Sequence, residues 1–482
     1  MVLTKSKAAW AVTIICVIFL SYFISKGDIW PLYLLSAFLI GIFVLFKSSD
    51  TLLLVISVVI LGGGYGLFNS ETLLHVSGLF KLPDLLLLIM VIIHLAQRLK
   101  KCNYNHKFPS VYSVIFLIII VAIIQIVATL IRFNVDLGTT LATGRRYLYF
   151  AFALVLIDYL SDSNMKDFLR KLDYLGIFLA ILYVIQTSFG SSLNLLASSG
   201  AWGAEQDLGG VIVNRIYWTG YWIMILMYSL TLSSLTSGTK SFSLIRVFKL
   251  ALYGTVILLS YSRGYWIAAI CIAILQVILS PRLGTVIHKL KYIVTVLSVL
   301  IILYISFSMG SGMSSMNLQD RLSNGFYDIL NGTGTMGYRM AENQFRLQLF
   351  YQYPILGPGF VGPLDAQTLF QPSVYVPLQS DLLLQTTTLQ TPDSGWLAVL
   401  MDMGLVGLVI WTMFYISIYR EWRKSCFSPS SLGSITFLIA LLLLLLTGSP
   451  LTTQPSIIVI CLATGIIVGN SKSNTIEQKG IL

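Results

Sequence analysis

SVYSVIFLIIIVAIIQIVATLI, running from Ser110 to Ile131, contains no charged side chain. A hydrocarbon core about 30 Å thick is crossed by roughly 20 apolar residues in an α-helix, so this stretch reads as a membrane span. Working outward, windows of the same kind fall at 9–25, 30–46, 51–68, 82–97, 110–131, 146–160, 173–189, 216–234, 245–262, 264–280, 290–308, 394–418, 432–449 and 455–470. The composition agrees: of 482 residues, 56% are hydrophobic and 11% charged, whereas soluble domains carry about 25% charged residues. The sequence therefore predicts an all-α polytopic membrane protein of about 14 transmembrane helices. It excludes the soluble domains that length alone would suggest.

Two windows are weaker. Arg246 and Lys249 intrude at the start of the ninth, and only Gly448, Ser449 and Pro450 separate the last two. The first block, behind Lys5 and Lys7, has no small-residue cleavage site and reads as a retained helix rather than a signal peptide. The five cysteines (Cys16, Cys102, Cys271, Cys426 and Cys461) show neither a disulfide framework nor zinc spacing.

Positive charge gives the orientation. With the N-terminus inside, inner connectors hold 21 of the 31 Lys and Arg residues and outer ones hold 10. Both termini are then cytoplasmic. The predicted organisation is helices 1–11 over 1–308, an extracytoplasmic loop with short helices over 309–393, helices 12–14 over 394–470 and a tail over 471–482. The net charge of +11 is thereby explained by membrane orientation, not by nucleic-acid binding. Of the outer ten, eight are Arg: 132, 145, 146, 215, 263, 321, 339 and 346. Arg grips phosphate or carboxylate through two bonds, which Lys cannot do. As a set they point to an anionic ligand on the outer face. Singly, each could equally snorkel to lipid phosphate or pair with an acid.

The long outer loop has internal pattern. Residues 337–353, GYRMAENQFRLQLFYQY, read as a helix on which Arg339, Glu342 and Arg346 fall within about 60° of one another. Glu342 could hold both guanidinium groups toward a ligand, or the three could form an ordinary salt-bridged surface. Pro354 ends the helix, and Gly357 and Gly359 make a tight turn where backbone can approach a ligand. Residues 367–391 read as a mobile flap. Beyond it Asp393 sits at the mouth of the twelfth span, and Asp402 lies about nine residues, roughly 13 Å, further in. An ionisable group inside a span is expensive and usually functional, or pairs with a polar neighbour.

These features, in this order, resemble the O-antigen ligase/polymerase superfamily of bacterial envelope glycan assembly. Tyr261-Ser262-Arg263-Gly264-Tyr265-Trp266 matches its Ser-Arg-Gly at a helix start. Pro354 to Phe360 matches its Pro-(hydrophobic)-Leu-Gly-x-Gly-(aromatic) turn. Asp393-Ser394, Leu397, Asp402 and Gly404-Leu405-Val406-Gly407 match its closing pattern. The Arg-x10-Gly spacing described for polymerases fits Arg346 to Gly357 and Arg321 to Gly332. The resemblance covers about residues 255–415. One departure matters: ligases place His-Asn where this chain has Asp393-Ser394. Of its four histidines, His94, His106 and His288 fall on the inner side and His75 in another outer loop.

The resemblance implies a GT-C-like helical bundle acting on glycan attached to undecaprenyl pyrophosphate at the outer face of the plasma membrane. Lipid-linked glycan is both donor and acceptor, and membrane lipids and a chain-length regulator are further partners. The implied base is Asp393, with Glu342 as second choice. Arg263, Arg339 and Arg346 form the implied pyrophosphate clamp, helped at the rim by Arg215 and by Arg145 or Arg146. No cofactor and no metal are called for, since arginines can stabilise the leaving pyrophosphate. The missing ligase histidine favours a polymerase making O-antigen, capsule or exopolysaccharide. A ligase moving the finished glycan to another acceptor comes second. A transporter or flippase comes third, because the halves show no internal repeat and charges keep largely to helix ends.

Overall fold

The computed structural model describes, with short gaps, residues 52–60, 75–100, 110–189, 202–236, 244–279, 346–362, 394–445 and 451–480. The windows 9–25, 30–46 and 290–308, most of 51–68 and of the flap 367–391, and Arg339, Glu342 and Asp393 lie outside the described residues.

A short antiparallel pair, β1 (His75–Ser77) and β2 (Phe80–Lys81), leads into α1 (Leu82–Lys100). Then come α2 (Ser110–Phe133), α3 (Leu137–Leu148), α4 (Ala151–Leu160) and α5 (Met165–Phe189). A second antiparallel pair, β3 (Trp202–Asp207) and β4 (Ile212–Ile216), precedes α6 (Tyr221–Thr236), α7 (Leu244–Leu259) and α8 (Arg263–Leu279). The chain closes with α9 (Gly395–Lys424), α10 (Pro429–Leu444) and α11 (Gln454–Gly480). Ser110–Phe133, Gly395–Lys424 and Gln454–Lys472 are long and apolar enough to cross a membrane, and Tyr221–Leu235, Gly264–Leu279 and Pro429–Leu444 are shorter apolar helices. This is a helical membrane protein; the count of 14 spans reaches beyond what the described residues contain.

The sixth window needs correction. It does not begin at Arg146 after a loop, because residues 137–148 are already helical. Asp136 caps that helix, its carboxylate accepting the Thr139 N–H at 2.9 Å. Polar LGTTLATGRRYL lacks the hydropathy of a span, which hid it from an apolar-window reading. The bend between α3 and α4 is a tightened turn: the N–H groups of Tyr149 and Phe150 bond three residues back, to the carbonyls of Arg146 and Tyr147, at 3.3 and 3.2 Å. The last helix likewise continues past residue 470, through most of the predicted tail.

The helices pack in two groups. In one, α6 lies against α7, α8 and α10, and α5 against α7. Buried hydroxyl and amide groups bind this group together: Gln276 on α8 donates to the Ser229 carbonyl on α6 at 2.8 Å, and the Ser229 hydroxyl donates to the Gly433 carbonyl on α10 at 2.6 Å. In the other, α11 crosses α4, and α9 packs on α2 and α11. Gly465 and Gly469 make the first of these crossings close, since a Cβ at Gly469 would lie 2.7 Å from the Leu160 carbonyl. The contact of α10 with α11 joins the groups.

Ionisable groups collect at two opposite ends. At one, Asp158 at the foot of α4 meets Tyr112, His94 at 3.1 Å and Lys472 at 3.3 Å, while Glu421 accepts from Ser471 at 2.9 Å and from Lys424 at 2.7 Å. Lys249, one of the charges that weaken the ninth window, pairs there with Asp173. At the other end lie Asp84, Arg132, Arg145, Arg146 and Asp402.

Candidate active site at a broken helix

The second end is built around an interruption in α9. Gly404 has φ 60° and ψ −153°, a region essentially closed to side chains. The helix therefore loses its Leu405-to-Met401 hydrogen bond. The turn Pro354–Phe360 supplies the missing partners. Leu405 N–H donates to the Pro354 carbonyl at 3.0 Å, Val406 N–H to the Ile355 carbonyl at 3.2 Å, and Gly359 N–H to the Met401 carbonyl at 2.9 Å. The turn thus replaces both halves of the lost bond, as backbone in an apolar surround demands.

Such stitching requires bare backbone on both sides. Gly357 and Gly359 have φ of 73° and 98°. A Cβ on Gly357 would sit 2.5 Å from the Leu400 and Met401 carbonyl oxygens, and one on Gly404 would sit 2.5 Å from the Gly357 nitrogen. The sequence reading assigns these glycines to close approach of a ligand. In the structure they approach protein: Gly357 meets α9, and Gly359 meets Thr129 of α2, whose Oγ1 would lie 2.2 Å from an added Cβ.

Helix α2 holds the turn from the other side. In an otherwise charge-free apolar helix, Gln125, Thr129 and Arg132 follow at spacings of four and three, along one face. Gln125 Nε2 donates to the Leu356 carbonyl at 2.8 Å, Thr129 Oγ1 accepts the Phe360 N–H at 3.1 Å, and Arg132 Nη1 donates to the Gly357 carbonyl at 3.1 Å. The Arg132 guanidinium also lies over the Tyr353 ring, 5.2 Å from its centroid. Phe360 is fully buried, stacked on Tyr147 with centroids 5.4 Å apart.

Helix α3 contributes two consecutive arginines with separate carboxylates. Arg146 pairs with Asp402, which also accepts from the Tyr147 hydroxyl. Arg145 pairs with Asp84 at 3.0 Å, and Asp84 accepts the Tyr149 hydroxyl at 2.8 Å. Asp402 is 6% exposed, so its charge is compensated inside the protein. The polar neighbour foreseen for Asp402 is thus Arg146, itself a predicted rim helper.

The chain just before the turn is helical over residues 346–352. Leu349 of this segment is buried with Phe133, Tyr353, Val361 and Met401 around it. Arg346, one turn earlier, is 3% exposed, not a freely solvated loop cation. At the other junction Ser394, next to Asp393, is the N-cap of α9 by backbone conformation, although its side chain makes no capping bond. Gly395 N–H bonds the Leu445 carbonyl at 2.9 Å and fixes the helix mouth to the end of α10.

Of the predicted site residues, the structure brings Gly357, Gly359, Asp402 and Arg146 around the Gly404 break, with Arg145 alongside, while Arg346 is buried in the helical segment that leads into the turn. Arg263 is the first residue of α8, and Arg215 lies on β4. Sequence reasoning missed Gln125, Thr129 and Tyr147, and counted Arg132 only among the outer arginines that as a set point to an anionic ligand. The available signal was the polar spacing within α2. Among the described residues no cluster of His, Cys, Asp and Glu could hold a metal ion.

Fold and site together define a helical membrane protein with a late loop sewn into an interrupted span beneath clustered arginines. Residues 248–412 match the family model described as O-antigen ligase, consistent with a domain of the O-antigen ligase/polymerase superfamily over that stretch. No curated protein matches the chain. The matched segment takes in Arg263, the loop, the Gly turn and Asp402, whereas α2 and α3, which grip the turn, lie outside it.

Proposed function

We propose that the protein is a metal-independent membrane glycosyltransferase that polymerises undecaprenyl-pyrophosphate-linked repeat units at the outer face of the bacterial plasma membrane. The family match over residues 248–412, with Asp393-Ser394 standing where ligases have His-Asn, carries this reading. In the reaction, an acceptor sugar hydroxyl attacks the anomeric carbon of the donor glycan. The bond from that carbon to the pyrophosphate oxygen breaks, and the pyrophosphate leaves with the bonding electrons. Asp393 takes the hydroxyl proton, help worth about 10²–10⁴-fold. Arg263, Arg339 and Arg346 stabilise the departing charge. Arg215 and Arg145 or Arg146 help at the rim, the last two each paired with a carboxylate. The ligase reading draws on the family's own description and differs in its acceptor.

The length distribution of surface glycan in a deletion strain tests this. Collapse to a single repeat unit, restored by the wild-type gene, supports a polymerase. Long chains that stay on the carrier lipid indicate a ligase. An unchanged ladder rejects glycan assembly.

A further inference from the structure

We infer that Arg132 is a positioning residue for transfer, acting through the Gly turn and not on substrate. The inference rests on the proposed glycan transfer and goes beyond it, because Arg132 lies outside the matched family segment. From the end of α2 its Nη1 holds the Gly357 carbonyl at 3.1 Å. Its guanidinium face covers the rings of Tyr353 (5.2 Å) and Phe133 (5.8 Å). Tyr353 closes the segment 346–352 that bears Arg346, and Tyr353 and Phe133 meet edge-on at 5.6 Å. On its other side, the same turn is hydrogen-bonded into α9, whose N-cap Ser394 follows Asp393 in the sequence. Arg132 therefore grips a stretch of backbone that, among the described residues, ties the segment bearing Arg346 to α9. Gln125 and Thr129 hold neighbouring points of that turn, on Leu356 and Phe360.

A grip on a carbonyl makes a different chemical demand from a grip on pyrophosphate. One donor suffices for the carbonyl, so Lys can replace Arg; a bidentate clamp cannot be replaced in that way. Misplacement of reacting groups acts on turnover more than on binding.

The test uses full-length protein in proteoliposomes with lipid-linked repeat unit as substrate. Arg132→Met is expected to lower kcat by about 10–100-fold with KM for the donor within about twofold, and Arg132→Lys to recover most of the loss. An activity-independent arm places spin labels on Ile131→Cys and Tyr351→Cys, exposed positions at 80% and 73%, in a background without the native cysteines. The distance distribution should be narrow in the parent and in Arg132→Lys, and broad in Arg132→Met. If Arg132→Met does not accumulate, Thr129→Val, which removes the acceptor for the Phe360 N–H, should broaden the same distribution. Unchanged kcat, or a narrow distribution in Arg132→Met, overturns the inference. So does a raised donor KM that Lys fails to rescue, which would put Arg132 on the pyrophosphate. A parent that folds and gives the narrow distance but never elongates the substrate refutes the polymerase reading, and the distance arm still decides whether Arg132 positions the turn.

Discussion

Arg146 and Asp402 stand 256 positions apart in the chain and meet as a buried ion pair beside the break in α9. The pair joins the helix array outside the family segment to the helix that closes that segment. Tyr147, the next residue, donates to the same carboxylate oxygen and stacks on Phe360 of the turn. One short stretch of α3 thus fixes both the broken helix and the turn that repairs it.

Removing one partner leaves the other charge buried, at a cost of about 3–5 kcal/mol, whereas replacing both by apolar residues of similar size is close to neutral. Asp402→Asn and Arg146→Met should each lower the melting temperature in detergent more than the double variant Arg146→Met/Asp402→Leu does. Equal or additive losses would show that the charges act independently.

Gly404→Ala should be among the most damaging single-atom changes in the protein. The conformation alone costs about 1–3 kcal/mol for a residue with a side chain, and the new Cβ would lie 2.4 Å from the Ile355 carbonyl oxygen. Gly407→Ala would also clash, its Cβ 2.4 Å from the Met403 Cβ, but it carries no positive-φ penalty and should do less harm. Thermal unfolding of the purified variants compares the two.

Phe360→Ala removes a buried ring and should cost about 3–5 kcal/mol. Phe360→Leu, which keeps most of the volume, should retain much of that stability. A loss under 1 kcal/mol for the alanine variant, measured by denaturant unfolding in micelles, would mean that the turn does not depend on this anchor.

Asp393→Asn should accumulate and insert like wild type yet lose about 10²–10⁴-fold in elongation rate. Glu342→Gln run in parallel identifies the base: whichever variant loses the rate carries that role.

Arg346→Lys keeps the charge but loses the planar fork. In a site where Arg346 is 3% exposed, the lysine variant should be nearly inactive in glycan elongation. Normal chain length in that variant would reduce Arg346 to a generic cation.

How much of this could be read in advance varied by residue. The helices α2, α9 and α11 stand out because they are long and apolar enough to cross a membrane. The Pro354–Phe360 turn and the Gly404–Gly407 pattern were also visible, as motifs. Their purpose was not, because nothing local to Gly357 says that its neighbour in space is Met401 and not a ligand. Helix α3 escaped because its stability comes from the Asp136 cap and from ion pairs to Asp84 and Asp402, partners distant in the chain. Gln125 and Thr129 carry no local signal of their role, because the turn residues they hold each lie 231 residues further along the chain.

The repaired break in α9 also bears on biosynthesis. When this helix leaves the translocon it cannot satisfy its own backbone, and unpaired amides in hydrocarbon cost several kcal/mol each. Its partners lie on the turn Pro354–Phe360 of the preceding loop, which in the proposed orientation crosses the bilayer before α9 and packs back against α2. Lateral release of α9 into lipid is therefore conditional on a correctly docked loop, and a chain with a misfolded loop presents raw amide groups to membrane proteases before it can meet any substrate.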